Sequence, residues 1–77
     1  MQKPVLAAGI YRHYKGQAYQ VIDLARHSES EEWHVVYRPL YGDFGLWIRP
    51  YAMFVEEIEH QGQRVKRFAF ESAEVPA

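Results

Sequence analysis

Residues 37–54 of this chain read YRPLYGDFGLWIRPYAMF. This stretch holds six of the twelve aromatic residues, set among the pairs Arg38-Pro39 and Arg49-Pro50. The glycines of the segment YGDFG supply the positive φ angle that a short hairpin loop often needs. Proline cannot donate to a sheet ladder but suits the first position of a helix. The stretch therefore predicts two strands joined by a tight loop, then one helical turn at residues 50–54.

Outside this stretch, turn residues cut the chain into segments of the usual strand length. The predicted strands cover residues 9–14, 18–25, 33–40, 46–49, 55–60 and 64–70, the last two pairing around Gln61-Gly62. Residues 71–77 offer nothing bulky to bury, which is typical of a frayed tail. We expect one domain over residues 1–77, with a core at 9–70. The pattern predicts a mostly β fold, a small SH3-like antiparallel barrel with one short helical turn.

Alternation along each strand predicts which side chains share a face. In the second strand it separates Tyr19, Val21 and Asp23 from Ile22 and Leu24. In the fourth strand it makes Leu46 and Ile48 the core pair, so that Trp47 and Arg49 lie outward or line a groove. A tryptophan opposite the core face is covered by other chain or held for a partner.

The two central arginines have two interpretations. Arg49, and Arg38 on the adjacent strand, either pair with carboxylates of this chain, Asp43 and Glu29 being the candidates, or hold an anion. A guanidinium beside aromatic rings can fork hydrogen bonds onto an anionic or planar ligand. The sequence leaves both interpretations open.

Two polar blocks supply histidines, His13 in YRHYKG (residues 11–16) and His27 in HSESEE (residues 27–32). The first block is typical of a strand whose tyrosines pack while its cations reach water, and the second of a solvated turn. The alternative places both histidines in a ligand pocket, with Glu29 orienting His27 as a general base.

Composition argues against several function classes. The histidines lack metal-ligand spacing and there is no cysteine, so we expect no metal and no cofactor. The serines lie outside any G-x-S-x-G context, which disfavours an enzyme. A formal charge of −1 disfavours nucleic-acid binding that depends on phosphate neutralisation.

Location and assembly follow from the same features. No apolar run approaches the roughly 18 residues of a membrane span, so no membrane partner is expected. The first residues lack the long apolar region of a signal peptide, and a cytoplasmic location fits. Small barrels often pair through an edge strand, so a homodimer is compatible with the sequence.

Taken together, the ordered blocks GIYRHYKG, YQVIDLARHSES, VVYRPLYGDFGLWIRPYAMF and GQRVKRF resemble the short bacterial proteins of the DUF1653 family, from about Gly9 to Phe68. The resemblance implies one small domain and no established activity. Its matching positions are Tyr11, His13, Lys15, Gly16, Tyr19, His27, Ser28, Glu29, Tyr37, Tyr41, Gly42, Trp47, Arg49, Pro50, Phe54, Arg67 and Phe68. Ser30 stands where the family pattern has threonine, and Pro39 where alanine is more usual.

The sequence thus favours a binding module with an aromatic and arginine-lined groove for a small anionic or planar ligand or a protein partner. Its candidate residues are Tyr11, His13, His27, Glu29, Tyr37, Arg38, Tyr41, Asp43, Trp47 and Arg49. The alternatives are binding of a single-stranded or modified nucleic-acid base, and a small hydrolase that uses His13 or His27.

Overall fold

The structure is a computed structural model that describes residues 3–73. Its elements, in chain order, are β1 (Gly9–His13), β2 (Ala18–Arg26), β3 (Trp33–Pro39), β4 (Trp47–Pro50), α1 (Tyr51–Phe54), β5 (Glu57–His60), β6 (Gln63–Lys66) and β7 (Phe68–Ser72). Five strands form an antiparallel sheet in the order β4-β3-β2-β1-β7, and β5 pairs with β6 as a separate hairpin. The predicted mostly β fold with one short helical turn is confirmed.

The five-stranded sheet is curled but not closed. β4 and β7 are its edges, and no ladder joins them within residues 3–73. In a flat sheet, four strand spacings would separate these edges by roughly 19 Å. The guanidinium carbon of Arg49 in β4 nevertheless lies 5.7 Å from the ring centre of Phe68 in β7. The sheet therefore curves strongly and has a concave face, but the closed SH3-like barrel is not confirmed.

The hydrophobic core lies on this concave face. Its buried side chains are Tyr11, Tyr19, Val21, Val35, Tyr37, Phe54 and Phe68. Phe54, the buried residue of α1, has no exposed surface and stacks on Phe68 with ring centres 4.1 Å apart. The rings of Tyr11 and Tyr37 contact the Phe54 ring edge to face, with their ring centres 5.6 and 5.4 Å from its centre. The helical turn after Pro50 thus inserts one phenylalanine into the concavity.

Strand β4 faces opposite to the sequence expectation. Its register sets Trp47 opposite Tyr37 and Arg49 opposite Val35. Directly opposed residues share a face, so Trp47 and Arg49 lie on the concave side with the core. The expected core pair, Leu46 and Ile48, is wrong: these side chains are 59% and 62% exposed. The partner strand, and not aliphatic character, decides which face of β4 is inward.

A β-bulge changes which side chains of β2 face the core, so the predicted faces of this strand are partly wrong as well. The register passes from Val21 opposite Tyr37 to Asp23 opposite Val36, which leaves Ile22 as the extra residue. An extra residue reverses the alternation beyond it. Leu24 therefore packs against the core and Asp23 does not, contrary to simple alternation.

The pairing of the C-terminal strands differs from the single hairpin of residues 55–60 and 64–70 that the sequence predicted. β6 ends at Lys66, and β7 leaves the hairpin to pair with β1. β7 continues to Ser72, so two residues that the sequence assigned to the tail are in the sheet, whereas residues 74–77 lie outside the described residues. At the far end of this ladder a Cβ on Gly9 would overlap the carbonyl oxygen of Ser72, and the φ of Gly9 is 138°. Glycine is therefore required where β1 meets β7.

Among residues 3–73, no helix has the length and apolar character needed to cross a membrane.

Candidate functional site

The concave face is plugged by Phe54 at one end and open at the other. At the open end Tyr41 and Trp47 keep 42% and 45% of their surface exposed, although they stand beside the buried rings of the core. We call this end the aromatic–arginine site; it consists of His13, Tyr19, Tyr37, Tyr41, Trp47, Arg49 and Phe68. It combines buried rings as a floor with accessible rings as a wall.

All five strands of the sheet contribute to this site. The ladders place Trp47 opposite Tyr37, and His13 opposite Phe68. The ring centre of Tyr19 lies 5.4 Å from that of Phe68, and that of Trp47 lies 6.1 Å from that of Tyr37. These separations are typical of interacting aromatic pairs. The curl of the sheet brings together rings that a flat sheet would hold apart.

Arg49 is the charged centre of the site. Its Nε donates a hydrogen bond to the Tyr37 hydroxyl at 3.3 Å. Within residues 3–73, no carboxylate pairs with it: Asp43 instead accepts the backbone N–H of Gly45 at 3.1 Å. A guanidinium carries five N–H donors, so Arg49 retains donors for an anionic group. The ion pair that the sequence offered for Arg49 is therefore absent from this part of the chain.

The tyrosines at the site are linked by their hydroxyls. Those of Tyr19 and Tyr41 lie 2.8 Å apart. Burial, the hydrogen bond to Tyr41 and the nearby phenol of Tyr37 raise the pKa of Tyr19 to about 12. Tyr19 thus stays a neutral phenol at physiological pH. It holds Tyr41, which lies in the loop between β3 and β4, against the sheet.

His13 closes the β1 side of the site. Its Nδ1 accepts the backbone N–H of Lys15 at 3.1 Å. Burial lowers the pKa of His13, and so do the positive charges of Arg49, Arg67 and Lys15. The ring is therefore neutral at physiological pH, with its proton on Nε2, which can donate to a ligand.

The surroundings of His13 carry an excess of positive charge. Arg67 is neutralised by Glu56, with 2.6 Å between Nη2 and Oε1. Neither Lys15 nor Arg49 forms an ion pair within residues 3–73. Although the whole chain has a formal charge of −1, the aromatic–arginine site is locally basic.

The structure brings together five of the ten residues proposed from the sequence: His13, Tyr37, Tyr41, Trp47 and Arg49. Tyr11 lies deeper in the core, where its hydroxyl donates to the carbonyl of Ala7 at 2.7 Å. Arg38 is paired with Gln20 on the opposite face of the sheet, and its buried Nε has no hydrogen-bond partner within residues 3–73. Asp43 caps its own loop.

His27 and Glu29 lie in the loop between β2 and β3, away from the site. Nδ1 of His27 accepts the backbone N–H groups of Glu29 and Ser30 at 3.1 and 3.2 Å. Its backbone N–H and carbonyl bond to Glu32 and Glu31. His27 therefore builds the turn, as the simpler interpretation of this block holds. Within the described residues, the structure gives it no carboxylate to orient it as a base.

Sequence reasoning missed Tyr19, Phe68, Lys15 and Arg67 as members or neighbours of the site. All four stand at positions that match the family blocks, which was the available signal. Tyr19 is also two residues from the core residue Val21 on β2, so the two side chains share a face of the sheet. Phe68 could not be placed from pattern alone, because its pairing with His13 depends on β7 returning to β1 across most of the chain.

Two further cavities lie in the described structure, and the smaller one shares Phe68 with the aromatic–arginine site. One of about 570 Å³ is lined mainly by the β2–β3 loop, Trp33 and α1, and one of about 160 Å³ lies beside Phe54 and Phe70. The arginine of the larger cavity, Arg26, already has partners in the chain. No group of three or more potential metal ligands occurs within residues 3–73.

Comparisons with known proteins agree on one family. The profile described as "Protein of unknown function (DUF1653)" matches residues 9–70. A crystal structure of a protein of that family from Bordetella bronchiseptica superposes with a TM-score of 0.82 at 34% sequence identity. The alignment covers 94% of this chain and 95% of the other. A search of curated proteins found no match.

Proposed function

The chain belongs to the DUF1653 family, and from that premise we propose that it is a binding domain whose aromatic–arginine site takes a small ligand with a planar ring and an anionic group. The planar ring lies against Trp47 and Tyr41. The anionic group accepts hydrogen bonds from Arg49. His13 adds a neutral donor through Nε2.

One observation carries this proposal: Arg49 stands among aromatic rings with no carboxylate of residues 3–73 to neutralise it. Surface arginines gain little from solvated ion pairs, but one beside low-dielectric rings binds an anion more strongly. Lys15 adds a second charge of the same sign near His13. The local charge therefore selects an anion.

The exposed rings select a planar partner. Trp47 and Tyr41 together line the open end, and Tyr41 is held by Tyr19. A ring stacked on an aromatic side chain contributes about 1–3 kcal/mol in nucleic-acid complexes. The rings of the floor are fixed by the core, so little conformational entropy is lost on binding.

The test is isothermal titration with probes that separate the two requirements. Benzoate and adenosine monophosphate carry both a ring and an anion, adenosine carries only the ring, and inorganic phosphate only the anion. We expect measurable binding for the first two and much weaker binding for the others. Equal affinity for adenosine and adenosine monophosphate would refute a role for Arg49.

A matched pair of variants tests the site itself. Arg49→Gln should weaken binding by roughly 10- to 100-fold, the loss expected for one hydrogen bond to a charged group. Arg64→Gln removes the same charge from β6, where that side chain is 74% exposed, and should leave affinity unchanged. If both variants bind like the parent protein, the anion is not held at this site.

Single-stranded nucleic acid is a second candidate, favoured by the accessible rings beside Arg49 and Lys15. The formal charge of −1 opposes it. A salt titration with a single-stranded oligonucleotide separates the two candidates, because affinity that depends on several phosphates falls steeply with salt. An affinity for the oligonucleotide no greater than that for the mononucleotide would restrict the site to a small ligand.

A further inference from the structure

One imidazole closes the β2–β3 loop, residues 27–32. Nδ1 of His27 accepts the backbone N–H groups of Glu29 and Ser30 at 3.1 and 3.2 Å. A ring nitrogen accepts a hydrogen bond only while it carries no proton, so the ring of His27 is neutral, with its hydrogen on Nε2. An imidazolium has two donors and no acceptor. Protonation of His27 therefore removes the acceptor that both N–H groups share.

The backbone of this loop is strained and depends on its hydrogen bonds. Glu31 has a φ of 63°, in the left-handed region that residues other than glycine rarely adopt. Its N–H donates to the carbonyl of His27 at 2.9 Å, and the N–H of His27 donates to the carbonyl of Glu32 at 2.8 Å. A strained conformation persists only where the surrounding contacts hold it. Loss of the two hydrogen bonds to Nδ1 thus favours an open loop.

A protonated His27 has other partners in the same loop. The side chains of Glu29 and Glu32 are exposed and form no ion pair within residues 3–73. The carboxylate of Glu31 is already paired, since its Oε1 lies 3.8 Å from Nη1 of Arg26. A neutral ring accepts from the backbone, whereas a charged ring donates to a carboxylate. The loop therefore offers His27 two alternative sets of hydrogen bonds, one for each protonation state.

The neighbouring imidazole, His34, does not face this choice. Its ring centre lies 5.6 Å from that of His27, and its Nδ1 donates to the carbonyl of Glu32 at 3.1 Å. A proton added to Nε2 of His34 leaves that hydrogen bond intact. Besides His27, the titratable or charged side chains of the loop, of the adjoining strand ends and of α1 at the same cavity are Arg26, Glu29, Glu31, Glu32, His34 and Tyr51. Of the two imidazoles, His27 is thus the one that must break hydrogen bonds when it becomes charged.

The same loop forms part of the wall of the cavity of about 570 Å³, to which it contributes Ser30, Glu31 and Glu32. We infer that His27 is a pH-dependent switch that holds the loop closed over this cavity while neutral and opens it when protonated. Histidine suits this role because its charge changes between about pH 5 and pH 8. The inference is separate from the proposed function, since the aromatic–arginine site lies towards the other end of β3.

Nuclear magnetic resonance tests the switch directly. The ring nitrogen shifts of His27 follow its protonation between about pH 8 and pH 5, and solvent exchange follows the N–H groups of Glu29 and Ser30. Protection of both groups should fall by about 2- to 10-fold as the ring takes up its proton, the effect of one lost hydrogen bond. The N–H of Gly45, which donates to the carboxylate of Asp43 at 3.1 Å, is the control because its acceptor is not an imidazole. Unchanged protection of Glu29 and Ser30 while His27 titrates would overturn the inference.

Three variants separate the acceptor from the charge. His27→Asn supplies a side-chain oxygen that can accept the same N–H groups and does not titrate, so the loop should stay closed over the whole pH range. His27→Ala supplies no acceptor, so protection at pH 8 should be as low as in the acidic parent protein. His34→Asn removes the neighbouring imidazole and should keep the pH-dependent opening. Opening that persists in His27→Asn, or full protection in His27→Ala, would contradict the switch.

The fluorescence of Trp33, which lines the cavity, reports whether the loop covers it. The measurement uses a Trp47→Phe background, where Trp33 is the one remaining tryptophan. Quenching by acrylamide should increase as His27 takes up its proton, and His27→Ala should show the increased quenching already at pH 8. His27→Asn should show no such increase. Constant quenching while the N–H groups of Glu29 and Ser30 lose protection would show that the loop does not cover the cavity, and would overturn the inference.

Discussion

Tyr19 is buried among other rings on the concave face, and its hydroxyl meets that of Tyr41. The same residue supports the core and positions an exposed ring of the proposed site. Burial of the phenol favours its neutral form, which connects folding to pH. Tyr11 is similar: its pKa is raised by burial and by the nearby Tyr51.

At the residue scale we predict an alkaline loss of stability. The pKa of Tyr19 is about 12 in the folded protein, against 10.0 for an unperturbed tyrosine. A group whose folded-state pKa is raised contributes its full stabilisation below the unfolded value and loses it as pH rises to the folded value. The free energy of unfolding should therefore fall between pH 10 and about 12. Urea titrations across this range measure it.

Tyr41→Phe is the matched variant. It removes the hydrogen bond to Tyr19 but keeps the ring, so the pKa of Tyr19 should fall. Difference absorbance of the tyrosinate ion follows this change directly. An unchanged titration curve would mean that the two hydroxyls do not interact in solution.

At the element scale, β4 and α1 each cover one end of the concave face. β4 turns Trp47 and Arg49 inward at the open end, and α1 delivers Phe54 to the closed end. Ile48, the aliphatic residue of β4, is left on the convex face, where it buries little. In a strand of four residues, the register with the partner strand thus decides which side chains face the core.

This assignment predicts a sharp contrast between two apolar residues. Ile48→Thr should change the free energy of unfolding by no more than about 0.5 kcal/mol, as for other exposed sites. Phe54→Ala should cost about 3–5 kcal/mol, because it empties the centre of the core. Chemical denaturation of both variants measures the difference. A large cost for Ile48→Thr would show that the convex face is covered in solution.

At the scale of the whole molecule, 77 residues leave a thin margin of stability. The core depends on rings from β1, β2, β3, β7 and α1, and the aromatic–arginine site borders that core directly. Ligand binding at the open end therefore acts on the cooperative unit and not on an isolated loop.

A ligand of this site should raise the melting temperature markedly. At a concentration of 100 times its Kd, a ligand stabilises the folded state by about 2.7 kcal/mol. In a domain of this size each kcal/mol raises Tm by about 4–8 °C. Benzoate or adenosine monophosphate at saturating concentration should therefore raise Tm by roughly 10–20 °C. Arg49→Gln, if its Kd is 10- to 100-fold higher, should keep only about 0.4–1.4 kcal/mol of this stabilisation at the same ligand concentration. An undiminished shift in the variant would place the ligand elsewhere.

The short strands, the loop YGDFG and the helical turn after Pro50 were predictable from the sequence alone, and five of the ten residues it proposed for a site lie together in the structure. These depend on local properties, namely the missing donor of proline, the freedom of glycine and the spacing of turns. The inward face of β4, the effect of the bulge at Ile22 and the contact of Phe68 with His13 became visible only in the folded chain. Each of these depends on register between distant strands, where a shift of one residue reverses every side chain.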